Sequence, residues 1–526
     1  MSARERPTTP PTPASRRASR RASDAPPAAH TPNGHRATGA ARSNGTTSRA
    51  PRAAAKRAAR PAATASATEA SATEALTRLR VAMCERYRPL VAQGIAPIRV
   101  MARMVAEAQA AAERQGLPNA SIAEGIVNRT IGDVNLRQVS ATDDGAAFAT
   151  LADDMGIALP GEKIGGTTAT GATYRWIHEQ MLEVERELLA RGWDLRMYDL
   201  PATGNPLLRE LLADYERERF GITLDPANIY LSLGSLDGLD KFWRGYSFTL
   251  RQRGINAAAV VFPAPSFNVP EWQARSLGLR LHRLVTRAED HFKVTPAMLG
   301  AALEEAPDIR AFYLTVSNNP TAFAYSYDEL RALFDVLRDR DTIVVADLAY
   351  VGTAELADDR RRMAAFVDSG ILPRTVLAHS FSKTHTLTGD RCGWVGFSDP
   401  ELAAAVGVAW ANTIATLPAD WQLRYTAMVR LFRQRPELEQ RIRALYRHRR
   451  AALVRQLHHL DETHHLFAQV NLDDGGTVYN WSQLRPGADV FALFQATGIA
   501  GVPGSAFGYS DDYVRLSIGC VPVPAG

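Results

Sequence analysis

Cysteine is scarce: Cys84, Cys392 and Cys520 are the only three in 526 residues. So odd and scattered a set excludes a disulfide framework, shows no zinc-ligand spacing and suits a reducing cytoplasm. Long apolar runs are missing too. No stretch of about 18 apolar residues occurs, so no membrane-spanning helix is expected. The first 66 residues are poor in acids, holding Glu5 and Asp24 against thirteen Lys and Arg. That is a balance of +11; a net +5 for the whole chain leaves about −6 for the remainder. The basicity therefore belongs to a tail, and the folded part is mildly acidic.

Residues 1–75 are Ala, Arg, Ser, Thr and Pro with almost no large apolar side chain. Such a segment cannot offset its ordering entropy by burial, and it reads as a disordered basic tail. Three roles fit it: a polyanion contact through Arg16-Arg17 and Arg20-Arg21, a transit peptide, or a solvated tail with no fixed task. Beyond it, the length and a 46% hydrophobic content fit a soluble globular chain of two or more domains. Residues 76–125 read as a helical arm. Pro97 opens its second helix, Gly116 stops it, and Ile98, Met101, Val105 and Ala108 form one packing stripe.

Chemistry concentrates where apolar strands end. The run Thr375-Val-Leu-Ala-His reads as a buried parallel strand and leads into Ser380-Phe-Ser-Lys383, with Arg391 eight residues on. A lysine there is costly unless it has a task, because burial penalises its charge. The same penalty lowers an amine's pKa and readies it to form a Schiff base. Two earlier strands end in Ser317-Asn-Asn319-Pro-Thr and Asp347-Leu-Ala-Tyr350. Ligands of open parallel sheets sit at the carboxyl ends of strands, so these groups are expected to converge. After Asn228-Ile-Tyr-Leu-Ser-Leu, a helix opens at Gly234-Ser235-Leu236 and offers free N–H groups to a phosphate. Near the C-terminus, Arg515 lies within an apolar strand, where a guanidinium needs an anion.

Four motifs in order, Asn319-Pro-Thr, Asp347-x-x-Tyr350, Ser380-x-Ser-Lys383 and Arg391-x-Gly-Trp394, carry a resemblance. The intervals from Asn319 to Asp347 and from Asp347 to Lys383 are 28 and 36 residues. Over roughly residues 125–526 the chain resembles the fold-type I pyridoxal-phosphate (PLP) enzymes of the class I/II aminotransferase family. The resemblance implies an aspartate-aminotransferase-like α/β fold: a large domain with a mostly parallel sheet between helices, plus a smaller α/β C-terminal domain. Its boundaries are 126–170 for a segment joining the small domain to the site, 171–420 for the PLP-binding domain, and 421–526 for a connecting helix and the small domain.

The resemblance also implies roles. Lys383 would hold PLP as an internal aldimine and move the substrate α-proton; Asp347 would face the ring nitrogen; Tyr350 and Asn319 would bond the phenolic oxygen. Gly234, Ser235, Leu236, Ser380 and Arg391 would hold the phosphate, and Phe267 would stack on the ring. Arg515 would take the substrate α-carboxylate, with Gly132 and Asn319 beside it. Tyr198 would reach the cofactor phosphate of a neighbouring subunit, which implies a homodimer with a shared active site. No metal is expected, and His379 and His385 read as structural. The implied reaction is amino transfer between an α-amino acid and a 2-oxo acid. A PLP-dependent lyase, decarboxylase or oxidase would reuse the same residues, and a PLP-sensing regulator with a polyanion-binding tail stands further off. Three departures mark the chain: Tyr198 stands one residue further from Gly204 than the family pattern has it, Leu236 stands where relatives often carry a hydroxyl, and Ala322 where glycine commonly follows the Asn-Pro-Thr turn.

Overall fold

The computed structural model describes residues 62–94, 96–117, 125–139 and 145–519. The reading of residues 1–61 as a disordered tail falls outside the described residues.

Short runs rich in Val, Ile, Leu and Ala, each closed by a turn, form seven strands: β1 Ile229–Ser232, β2 Ala259–Ala264, β3 Arg280–Val285, β4 Ile309–Thr315, β5 Ile343–Asp347, β6 Thr375–Ser380 and β7 Gly393–Phe397. They make one sheet in the order β1-β7-β6-β5-β4-β2-β3. Strands β3 to β6 run parallel with β2, while β7 is antiparallel to both β6 and β1. Strands β4 and β6 are buried almost throughout, as a parallel sheet covered by helices on both faces requires. The edge strand β3 alternates exposed and half-buried residues instead. The carboxyl ends of β4, β5 and β6 lie side by side, which puts their following loops at one rim.

A second, antiparallel sheet contains β8 Phe467–Gln469, β9 Tyr479–Leu484, β10 Val502–Pro503 and β11 Tyr513–Ser517, ordered β8-β9-β11-β10. The segment expected as a strand up to Gly132 is strand only at Val127–Asn128, which pairs in parallel with Ile499–Ala500. Residues 129–132 run on as irregular chain past the end of β11, where Ser517 N–H donates to Arg129 O at 2.8 Å.

Three helical expectations change. The first helix is Ala62–Ala92, so residues 62–75, read as part of the tail, are helical; their alanines are the best helix formers. Met101, Val105 and Ala108 are buried in helix Pro97–Arg114 as the stripe requires, but Ile98 is only half-buried. The one connecting helix expected within 421–526 is two, Ala419–Gln434 and Glu437–His464. Pro436 between them lacks an N–H and clashes with the preceding turn, which ends the first. The arginines of the second helix are not all solvated: Arg443 and Arg449 are buried, and Arg449 donates to Gly519 O.

Candidate active site

Sheet topology brings the strand-end residues together. Asp347 ends β5; its Oδ2 accepts from Tyr313 Oη of β4 at 2.7 Å and its Oδ1 from Ala349 N–H at 3.1 Å. Burial pushes its carboxyl above the usual range, and those two bonds offset part of the rise. Next along the sheet, β6 runs into the single helical turn Phe381–Thr384, which points Lys383 into the same space. The Lys383 ammonium donates to Gly132 O, and the Lys383 carbonyl accepts from Tyr446 Oη of helix Glu437–His464. The first contact holds the side chain and the second its backbone.

One end of the cavity is built for an anion. Gly234 caps helix Ser235–Gln252 with φ +87°, and a Cβ there would overlap the Arg391 guanidinium. Across from it, a Cβ on Gly393 would come within 2.6 Å of Gly234 Cα. Glycine at both places lets Arg391 close on the helix N-terminus. Arg391 donates to Thr388 O at 2.9 Å and to Leu233 O at 3.0 Å, and no carboxylate among the described residues pairs with it. Ser380 Oγ is buried without a hydrogen-bond partner.

The other end carries Arg515, which is 2% exposed. Its Nη1 donates to Asn319 Oδ1 at 2.9 Å and its Nη2 to Thr130 O at 2.6 Å, while Nε has no partner. The guanidinium lies 4.1 Å from the centre of the Tyr479 ring and 4.9 Å from that of Phe507. Among the described residues no acid pairs with it, so the internal ion pair that would explain it structurally is absent.

Ser235, Leu236, Phe267, Asn319, Asp347, Tyr350, Ser380, Lys383, Arg391, Arg515 and Gly132 line one cavity of about 260 Å³. Gly234 sits at its edge against Arg391. Tyr198 does not line it: the side chain is 77% exposed in an outward stretch with Met197 and Leu200. His379 and His385 stand behind the cavity. His379 Nδ1 lies 3.0 Å from Glu216, which also accepts from Trp394 Nε1, and His385 Nε2 lies 3.2 Å from Glu439. Burial holds His385 below the usual histidine range.

The sequence reading missed several lining residues: Ile98, Thr130, Ile131, Thr315, Ser382, Thr388 and Tyr479. Ser382 lies inside the Ser380-x-Ser-Lys383 motif without a role assigned to it; the others sit in no motif with a chemical signature, and Tyr479 and Ile98 carry ordinary core patterns. Ser382 and Thr388 bring hydroxyls to the wall, where Leu236 brings none.

An anion cradle, a buried carboxylate, an amine and the flat half-buried ring of Phe267 share this space. The orphaned Ser380 Oγ and Arg391, which has no acid partner, at the helix N-terminus fit the phosphate of PLP, and Asp347, which makes no ion pair among the described residues, fits its ring nitrogen.

Comparisons agree with that geometry. The profile of the family described as aminotransferase class I and II matches residues 174–522. An LL-diaminopimelate aminotransferase of Nitratidesulfovibrio vulgaris is 25% identical over 346 residues, 64% of this chain and 83% of its own. An aspartate aminotransferase of Pyrococcus horikoshii is 24% identical over 341 residues, 64% of this chain and 81% of its own. Among solved structures, the aspartate aminotransferase from Rhizobium meliloti superposes with a TM-score of 0.57 at 18% identity, covering 79% of this chain and 90% of that one. That last likeness is one of fold.

Proposed function

The chain belongs to the class I and II aminotransferase family and is a PLP-dependent enzyme of that type; from this premise we propose that Lys383 is the attachment point and proton carrier for amino transfer between an α-amino acid and a 2-oxo acid. The observation that carries the reading is the shared cavity. Lys383 and Asp347 open on it from neighbouring strands, with Arg391 at one end and the acid-free Arg515 at the other.

When bound, PLP supplies an electron sink for the charge left as the substrate Cα–H bond breaks. The chain's own groups do the rest. The Asp347 carboxylate holds the proton on the ring nitrogen, and Tyr350 and Asn319 donate to the phenolic oxygen. Backbone N–H groups of Ser235 and Leu236, with Ser380 Oγ and Arg391, bind the phosphate, while Gly234 leaves room for it. Phe267 covers the ring and excludes water. Lys383 Nζ takes the α-proton and returns it on the cofactor side. Arg515 grips the α-carboxylate through its planar fork, next to Asn319 and the Gly132 backbone.

The four charged lining groups, Asp347, Lys383, Arg391 and Arg515, are then all occupied. Ile98, Ile131, Leu236, Phe267 and Tyr479 make up much of what is left. This supports a substrate with an uncharged side chain, since the second carboxylate of aspartate would find no free cation among the described lining residues. The outward Met197, Tyr198 and Leu200 support a homodimer in which Tyr198 reaches the partner's cofactor phosphate. Cys84 and Cys392, free and buried, suit the cytoplasm, and no helix among the described residues is long and apolar enough to cross a membrane. We take 171–420 as the PLP-binding domain and 421–526 as the connecting and small domain.

The family and the relatives favour transfer over lyase, decarboxylase or oxidase chemistry. Purified protein mixed with PLP should gain a visible absorption that Lys383→Ala abolishes. Amino donors incubated with pyruvate or 2-oxoglutarate should then yield a new amino acid and a new oxo acid. Ammonia or carbon dioxide without transfer would replace amino transfer with one of the other reactions.

A further inference from the structure

Tyr479, like Asn319, lies where the α-carboxylate site and the phenolic-oxygen site touch. Its hydroxyl is 3.1 Å from Tyr350 Oη, and its ring is the platform under the Arg515 guanidinium, 4.1 Å away. The side chain is buried, and its position is enforced from outside: a Cβ on Gly132 would overlap the Tyr479 hydroxyl. Tyr479 belongs to β9 and Tyr350 to the loop after β5, so the bond spans the two sheets. Thr353 Oγ1 fastens the same seam, donating to Tyr350 O at 2.7 Å and to Gly476 O at 3.1 Å.

We infer that Tyr479 is a positioning residue that acts through Tyr350: with the Tyr350 proton turned to the cofactor's phenolic oxygen, the Tyr479 O–H donates to Tyr350 Oη and strengthens that donation. This rests on the reading of Tyr350 as a donor to PLP. A hydroxyl that accepts a hydrogen bond becomes a better donor, so two tyrosines in series stabilise a phenolate more than one does. In this structure the Tyr350 O–H donates to Tyr479 Oη, and the bond reverses once the Tyr350 proton turns to the phenolic oxygen. Burial alone would raise the Tyr479 hydroxyl, but Arg515, Lys383 and the bond from Tyr350 together hold it below the usual range, against the opposing charge of Asp133. Tyr350 is held well above its usual range by burial and by the adjoining Tyr479. Arg450 also reaches Tyr479, at its backbone carbonyl. Because the ring carries Arg515 as well, engagement of a carboxylate there is transmitted to Tyr350 through one side chain.

Two substitutions separate the hydroxyl from the ring. In the PLP-loaded enzyme, Tyr479→Phe keeps the platform and loses the donor. The pH midpoint of the visible band should rise by about half a unit to one unit, with the KM for the amino donor within about twofold and kcat lowered. Tyr479→Leu removes both, and should raise KM about tenfold in addition. A midpoint in Tyr479→Phe within a tenth of a unit of wild type overturns the inference. Should Tyr479→Phe fold poorly, Gly132→Ala, which pushes the hydroxyl aside, must raise the midpoint too, or the inference falls. If wild type shows no visible band with PLP, it is the cofactor reading that fails, and the two failures are thereby told apart.

Discussion

The cavity has two walls made in different ways. On the large-sheet wall, Asp347, Lys383, Ser380 and the helix N-terminus at Gly234 each stand where a strand stops, so topology alone delivers them to one rim. Across the gap, Arg515, Tyr479 and Gly132 are held by one another and by distant backbone: Arg515 binds Thr130 O across 385 residues of sequence, and Lys383 binds Gly132 O across 251. The first wall leaves Ser380 Oγ without a partner and the Asp347 carboxylate buried without an ion pair among the described residues. The second largely satisfies itself through Asn319, Thr130 and the Tyr479 ring. A wall left unmatched is completed by its ligand; a wall already satisfied orients and discriminates.

The largest effect belongs to the first wall. Lys383→Ala should cost roughly 10⁴-fold or more in turnover, since attachment point and proton carrier vanish together. Asp347→Asn comes next, lowering kcat roughly 10²- to 10³-fold, as losing one preorganised charge does. It also tests the mismatch directly in the apo-protein. Burial raises the Asp347 pKa in the folded state, so the stability this group contributes is full below its unfolded value of about 3.9 and is lost as pH rises through the raised value. Thermal melts of apo Asp347→Asn should therefore lie above wild type near pH 8, with the gap closing near pH 4. No pH dependence of that gap would mean the carboxylate is already matched, and the contrast between the walls would collapse.

On the second wall, Arg515→Lys should lower kcat/KM roughly 10²-fold, chiefly through KM, because an ammonium replaces a planar fork. The visible band should stay intact. Because Arg515 touches Asn319 and Tyr479, a modest shift of the band's pH midpoint is expected; loss of the band itself would mean that the second wall holds the cofactor directly.

The same division decides what could be read from the sequence. Strand-end motifs carry local signatures, so the sheet and the residues 234–236, 319, 347, 350, 380, 383 and 391 were legible: a run of Val and Ile followed by Asp or Lys states both a strand and its end. Arg515 was legible too, because a guanidinium among apolar neighbours is costly. Tyr479 and Ile98 were not, since an aromatic in a strand and an isoleucine on a helical stripe look like core until another part of the chain is packed against them. The break at Pro436 is a local signal too, a proline set between two stretches of helical periodicity. Tyr198 meets nothing in its own chain's cavity, so its part in the site depends on a second copy.

The smallest effect is expected at Ala322, where the two walls meet. This buried residue adopts φ +58°, the left-handed region that a Cβ disfavours by about 1 kcal/mol, so the turn has the conformation glycine would take without strain. Its carbonyl accepts from Gly476 N–H at 2.8 Å, which links the Asn319 turn to the loop leading into Tyr479. Ala322→Gly keeps that bond and relieves the Cβ, but it loosens the unfolded chain and removes a buried methyl, which offset the gain. The melting temperature should therefore move by no more than a few degrees, and turnover by less than about twofold. A tenfold change in turnover at unchanged stability would show that the methyl shapes the path between Asn319 and Tyr479, and would move this turn from scaffold to selectivity.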